Sequence, residues 1–260
     1  MSAGPGNGGM FSPRACARIA GVLYLITIVL GAVEQFYFRG SVYVPGNAAQ
    51  TAANLKSMES LWRVGIASEM ILLMSTVVTV LILFALLRPV NRQLAALMAA
   101  FAVVALTVEA SYTLHLVQAL FPLGKAEYLK AFTPDQLAAM ATMSIRAHSI
   151  GFGIALLFFG PFFLIGGILI FKSGYFPKFI GVLYGITAVG YTTSSLALIL
   201  APAFAARWYF VMVAPVILGE GALCLWLLVK GVKAASWEEL EGSVAPEARA
   251  APALVVNRVF

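Results

Sequence analysis

Six long apolar runs follow one another along the chain, separated by short segments that carry the polar and charged residues. A helix needs about 20 apolar residues to cross the hydrocarbon core of a bilayer, and each run is long enough. We therefore predict an all-α integral membrane protein, a bundle of six transmembrane helices, because a helix satisfies its own backbone hydrogen bonds in lipid. The predicted spans lie near residues 17–38, 61–88, 93–121, 147–172, 178–201 and 207–231.

The composition agrees with this class and excludes others. Hydrophobic residues make up 61% of the 260 residues and charged residues 11%, whereas a soluble domain has about 25% charged residues. The mean hydropathy is +0.93. The net charge of +6 does not indicate a nucleic-acid partner, because the cations stand singly at the ends of apolar runs. Cys16 and Cys224 form neither a disulfide framework nor a zinc spacing. The lipid bilayer is the partner that remains.

The connections between the spans predict their orientation. The segments RPVNRQ and KSGYFPK, after the second and fourth spans, each carry two cations and no acid. The positive-inside rule then places these connections and both termini in the cytoplasm, N-in and C-in. We expect a disordered Gly-rich N-terminus over residues 1–13, a six-helix transmembrane domain over 14–233, and a mostly disordered cytoplasmic tail over 234–260, which is acidic and then Pro/Ala-rich.

The connection before the fourth span contains a clear helix start. Thr133 is a predicted N-cap, Pro134 suits the first helical position, and Gln136 completes a capping box. We predict a short extracytoplasmic helix that begins here and can run straight into the fourth span.

Ionisable side chains within the spans are the main functional signal, since each costs at least about 2.5 kcal/mol to place in a bilayer. The acids and histidines fall in the predicted outer half of the membrane or near its midplane, and the inner half has essentially none. This distribution predicts one polar chamber that opens outward. The ligand-binding candidates are Glu220, His148, Arg63, Glu69, Glu109, His115, Glu34 and Tyr191.

Simpler explanations exist for each residue taken alone. A single buried carboxyl group can be neutral and hydrogen-bonded to a neighbouring helix. The pairs Glu34–Arg39 and Arg63–Glu69 can be ion pairs at the membrane interface.

Three functions are compatible with the set. The first is a chamber that binds or moves a small or amphipathic molecule, with carboxylates that handle a proton or cation. The second is a membrane-embedded hydrolase, metal-dependent through His148, His115 and Glu220, or with Ser111 as nucleophile; the two histidines could also hold a haem. The third is a non-catalytic partner or sensor subunit, in a homo- or hetero-oligomer. The sequence requires no cofactor.

One segment recurs within the chain. GVLYLIT begins at Gly21 and GVLYGIT at Gly181, and the two differ at one position. Both follow a cation and lie in spans of the same direction, as in a parallel repeat, although apolar helices also resemble one another by chance.

Several longer stretches resemble one family of bacterial membrane proteins, the domain of unknown function 4386. They are RIAGVLYLI, VLGAVEQFYFRG, VPGNAAQTAANLKSMESLWRVG, LLRPVNRQLAALMAAF, HSIGFGIALLFFGPFFLIGGILIFKSGYFPKFIGVLYGITAVGY and GEGALCLWLLVKG, within residues 14–233. The resemblance implies a multi-pass protein of the bacterial cytoplasmic (inner) membrane and no particular activity. It favours His148 and Glu220 over His115 as site residues.

Overall fold

A computed structural model of the protein describes residues 12–243. Its first helix, α1, spans Pro13–Val42 and contains one π-helical turn, Glu34–Phe38. The helices that follow are α2 (Ala48–Ser57), α3 (Glu59–Leu87), α4 (Arg92–Gln118), α5 (Pro134–Lys172), α6 (Lys178–Leu200), α7 (Pro202–Val229) and a last helix, α8, over residues 234–243. Two short 3-10 turns, Phe121–Leu123 and Glu127–Ala131, lie between α4 and α5.

The predicted six-span architecture is confirmed. Six helices, α1 and α3 to α7, are long and apolar enough to cross a membrane, and residues 12–243 contain no strand. The ends differ from those predicted because capping residues extend the helices. Ser12 accepts a hydrogen bond from the backbone N–H of Ala15 at 3.3 Å, so α1 begins at Pro13.

The predicted capping box before the fourth span is present and begins α5. The Thr133 N–H donates to Gln136 Oε1 at 2.8 Å, and the Gln136 N–H donates to Thr133 Oγ1 at 3.3 Å. The predicted short helix and the span form one continuous helix of 39 residues, about 58 Å long at 1.5 Å per residue. That length exceeds the hydrocarbon core of about 30 Å. The extracytoplasmic position of this end stays a prediction.

The spanning helices form a closed ring. Each packs against the next spanning helix in the chain, and α7 returns to pack against α1. Gly21 lets α1 and α7 approach closely, because a Cβ there would lie 2.7 Å from the backbone nitrogen of Leu228. Gly231 lies beside Arg14, so the described chain begins and ends at the same end of the bundle. An orientation with both termini on one side of the membrane requires this arrangement. That this side is the cytoplasm stays a prediction.

A second, smaller apolar cluster closes the opposite end, which we call the α2 end. It contains Val42, Leu55, Trp62 and Leu116, all at most 3% exposed. The Trp62 Nε1–H donates to the Leu116 carbonyl at 2.9 Å and joins α3 to α4. Helix α2 was not predicted; Asn47 caps it by accepting from the Gln50 N–H at 2.9 Å.

The start of the tail is folded, although we expected the tail to be mostly disordered. Helix α8 packs Trp237 and Leu240 against the main core, and this apolar contact outweighs the polar composition around them. The Trp237 Nε1–H donates to the Leu86 carbonyl at 3.0 Å, and Arg88 pairs with Glu241 at 2.7 Å. The predicted disorder of the N-terminus and of the remaining tail falls on residues 1–11 and 244–260, outside the described residues.

The Leu86 carbonyl also accepts from the Tyr175 hydroxyl, at 2.5 Å. Tyr175 lies in the connection between α5 and α6, and burial raises the pKa of its phenol above the ordinary value. The phenol therefore remains a hydrogen-bond donor. Together with the bond from Trp237, it joins the α5–α6 connection and α8 to the end of α3.

Trp237→Phe should lower the free energy of unfolding by about 1 kcal/mol, the usual net contribution of a hydrogen bond. Trp226→Phe is the matched control, because the Trp226 Nε1–H is buried without a hydrogen-bond partner among the described residues. We expect Trp226→Phe to cause no loss. The measurement is unfolding of the purified protein in mixed detergent–denaturant micelles; equal losses in both variants would contradict the assigned hydrogen bond.

Candidate functional site

The π-helical turn in α1 places two side chains on the inner face of the bundle. The Arg39 N–H bonds to the Glu34 carbonyl, five residues back, and this extra residue in the turn alters the direction of the side chains that follow. Glu34 and Phe38 are both buried. The Phe38 ring packs on Gly65 of α3, where a Cβ would lie 3.1 Å from the ring. Turns of this kind are frequent at functional sites.

Four side chains from three helices meet next to this turn, and we call them the acid–base cluster: Glu34, Arg39, Glu69 and His148. Arg39 Nη1 lies 3.0 Å from His148 Nδ1, and His148 Nε2 lies 3.7 Å from Glu69 Oε1. Glu34, Glu69 and His148 are at most 2% exposed. Arg39 is half-buried, and its guanidinium lies 5.7 Å from the centre of the Phe152 ring.

Three polar atoms of the acid–base cluster are buried without a partner among residues 12–243: Glu34 Oε1, Arg39 Nε and His148 Nε2. Because buried polar groups are nearly always hydrogen-bonded, such atoms indicate a place for a further polar group. Arg39 donates to Nδ1, so the neutral imidazole carries its proton on Nε2. The cluster therefore offers one free donor, on Arg39, and one free acceptor, on Glu34, whereas the Nε2–H of His148 faces Glu69 Oε1 at 3.7 Å, beyond hydrogen-bond length.

A second group of polar side chains surrounds Glu220, and we call it the tyrosine–glutamate cluster: Tyr24, Tyr184, Tyr191 and Glu220. The Tyr191 hydroxyl donates to Glu220 Oε1. The hydroxyls of Tyr24 and Tyr184 lie close to each other and to Glu220, but neither hydroxyl forms a hydrogen bond with the described residues. Tyr24 lies in the segment GVLYLIT and Tyr184 occupies the same position in the similar segment GVLYGIT. The two equivalent tyrosines therefore lie beside one carboxyl group, that of Glu220.

Glu109 lies between the two clusters. It is 5% exposed, on α4. It lies within electrostatic range of Glu69 and Arg39 on one side and of Tyr191 on the other. The candidate acids are thus arranged as two groups connected by Glu109, rather than as one set.

Comparison with known protein families identifies the family of this chain. The model of the domain of unknown function DUF4386 matches residues 19–231. The chain belongs to the DUF4386 family. A protein of Archaeoglobus fulgidus described as an uncharacterized protein is 27% identical over 166 residues, which cover 63% of this chain and 81% of the relative. No solved structure matches the chain.

Two candidates of this DUF4386 protein belong to neither cluster, although His115 lies within electrostatic range of His148. Arg63 is exposed and pairs with Glu59 at 2.8 Å, not with Glu69. His115 bonds to Gln118 at 2.6 Å, and its ring centre lies 5.4 Å from that of Tyr112. Each side chain is therefore engaged within its own helix.

The residues suggested for metal or nucleophilic chemistry do not come together. His148 and Glu220 belong to different clusters, and within residues 12–243 no group of three or more His, Cys, Asp or Glu side chains is placed to hold a metal. Ser111 donates to the Thr107 carbonyl at 2.8 Å. It lines an apolar groove of about 600 Å³ on the outside of the bundle, between α3 and α4.

The DUF4386 chain has one narrow cleft at the acid–base cluster. It lies between α1, α3 and α4 and is too narrow to hold a water molecule, so a ligand can enter only if side chains move apart. It is lined by Glu34, Phe38, Arg39, Trp62, Gly65, Ile66 and Leu116. Its walls are mostly apolar, and its polar lining comes from Glu34 and Arg39. The cleft therefore combines an acidic and a basic group with an apolar surface.

Arg39 was not among the predicted site residues. A span that ends near residue 38 leaves Arg39 at the membrane interface, but the π-helical turn carries the helix to Val42 and turns Arg39 towards His148. A weak signal was available, because the sequence analysis already paired Arg39 with Glu34 at the membrane interface.

Proposed function

We propose that the protein binds a small amphipathic molecule at the acid–base cluster, within the cytoplasmic membrane. The observation that carries the proposal is the pair of buried atoms without partners, Glu34 Oε1 and Arg39 Nε. Leaving such atoms unsatisfied costs about 1–3 kcal/mol each. A bound polar group would remove this cost.

The chemistry of the two atoms narrows the ligand class. Arg39 offers a hydrogen-bond donor, which suits a carboxylate, and Glu34 offers an acceptor, which suits an ammonium group. A zwitterionic head group meets both needs. The apolar part of the molecule would lie along Phe38 and Ile66 in the cleft, since small-molecule sites combine apolar walls with a few polar groups.

The proposal includes movement of the ligand towards the α2 end, which we predict to be extracytoplasmic. At that end the cleft is closed by Trp62 and Leu116 of the smaller apolar cluster. Release would therefore require these two side chains to separate and the Trp62–Leu116 hydrogen bond to break.

The test is thermal unfolding of the purified full-length protein with three defined probes of equal chain length: a short ω-amino acid, the matching fatty acid and the matching alkylamine. We expect the zwitterion to raise the melting temperature most. A ligand at about 100 times its Kd stabilises the folded state by about 2.7 kcal/mol.

Glu34→Gln should abolish the advantage of the zwitterion over the fatty acid, because glutamine has no charge to pair with the ammonium group. Glu59→Gln is the matched control, since Glu59 is an exposed acid of α3 that pairs with Arg63. Equal shifts for the zwitterion in wild type and Glu34→Gln would show that the molecule binds elsewhere, and no shift with any probe would refute the zwitterionic ligand.

A further inference from the structure

Glu220 is an acid without a cationic partner. No Lys, Arg or His of the described residues lies within ion-pair distance of it. The titratable groups that face it are Tyr24 from α1, Tyr184 and Tyr191 from α6, and Cys224 from its own helix. A lone carboxylate among such groups is costly to bury, and buried carboxyl groups are commonly neutral for this reason.

The close packing of α6 and α7 holds Glu220 in this position. A Cβ at Gly219 would lie 2.5 Å from the Leu183 carbonyl oxygen and would also clash with Thr187. Only glycine permits this approach, which brings the carboxyl group of Glu220 to the Tyr191 hydroxyl. The Phe163 ring, whose centre lies 5.1 Å from that of Tyr191, packs against the tyrosine from α5.

A proton on Glu220 would satisfy a buried atom that otherwise has no partner. Tyr191 already donates to Oε1. A neutral carboxyl group has one O–H donor on its other oxygen. The buried hydroxyls of Tyr24 and Tyr184, which lie close by without hydrogen bonds, are suitable acceptors.

We propose that Glu220 is a proton-binding site, in which the neutral carboxyl group accepts a hydrogen bond from Tyr191 and donates one to Tyr24 or Tyr184.

The test of the proton site uses infrared difference spectra of the ligand-free, full-length protein in a detergent without carbonyl groups. We expect the wild-type protein at neutral pH to show the carbonyl stretch of a protonated carboxylic acid that Glu220→Gln lacks and Glu59→Gln retains. Tyr24→Phe and Tyr191→Phe should each shift that band, which keeps the proposal testable if Glu220→Gln does not fold. A carboxylate band in place of the acid band, or a band that responds to sodium ions, would overturn the proton site.

No ligand takes part in this measurement, so its outcome is independent of the proposed function.

Discussion

Arg39→Leu is expected to lower the free energy of unfolding by about 1–3 kcal/mol, the cost of leaving a buried polar group without its hydrogen-bond partner. The variant would leave Glu34 and Glu69 in the interior without the guanidinium. It would also remove the bond from Arg39 Nη1 to His148 Nδ1. Unfolding of the purified variant in mixed micelles, followed by tryptophan fluorescence, measures the loss.

The double variant Arg39→Leu/Glu69→Gln should recover much of this loss, because glutamine leaves no unpaired charge beside His148. Arg63→Leu is the matched control. Arg63 forms an exposed ion pair with Glu59, and such pairs contribute about 0–1 kcal/mol. If Arg39→Leu and Arg63→Leu caused the same small loss, Arg39 would not stabilise the buried acids.

Gly181→Ala should be strongly destabilising at the contact between α5 and α6. A Cβ at Gly181 would lie 2.6 Å from the backbone nitrogen of Phe171 and 2.8 Å from the Gly167 carbonyl oxygen. Backbone atoms cannot move aside as the end of a side chain can, so α5 and α6 would have to separate. Overpacking of this kind costs about 1–3 kcal/mol, and the same unfolding assay measures it.

Gly185→Ala provides an unusually close comparison, since Gly185 is the second glycine of the same GxxxG segment. A Cβ at Gly185 would have no atom within 4 Å. Alanine also has a higher helix propensity than glycine, by about 1 kcal/mol. We expect Gly185→Ala to be neutral or stabilising. A loss at Gly185 as large as that at Gly181 would mean that helix contact does not explain the requirement for glycine.

The six spans could be predicted because each needs only a sufficient length of apolar residues. The same criterion missed α2, which has too few residues and too many polar ones to span, and whose start depends on the Asn47 cap. It also missed α8, because the contact of Trp237 with Leu86 joins residues far apart in the chain.

The site was predicted in part, because depth in the membrane can be counted along the chain but direction around a helix is less easily judged. Glu34, Glu69 and His148 do meet. Successive residues turn by about 100° around a helix, so Trp62, seven residues before Glu69, shares its face, whereas Arg63 points elsewhere. The separation of Glu220 from the other acids depends on the close packing at Gly219, which the sequence alone does not reveal.

The closed ring has a consequence for the order in which the protein is made. Ribosomes deliver α1 to the membrane first and α7 last, yet these two helices pack together at Gly21 and Leu228. Until α7 arrives, α1 exposes Tyr24 to lipid, and until α5 arrives, Arg39 lacks its partner His148. Insertion therefore passes through a state in which the first helix carries an arginine without its hydrogen-bond partner. Synthesis of the last helix completes the assembly, and a chain truncated before α7 should be a substrate for membrane proteases.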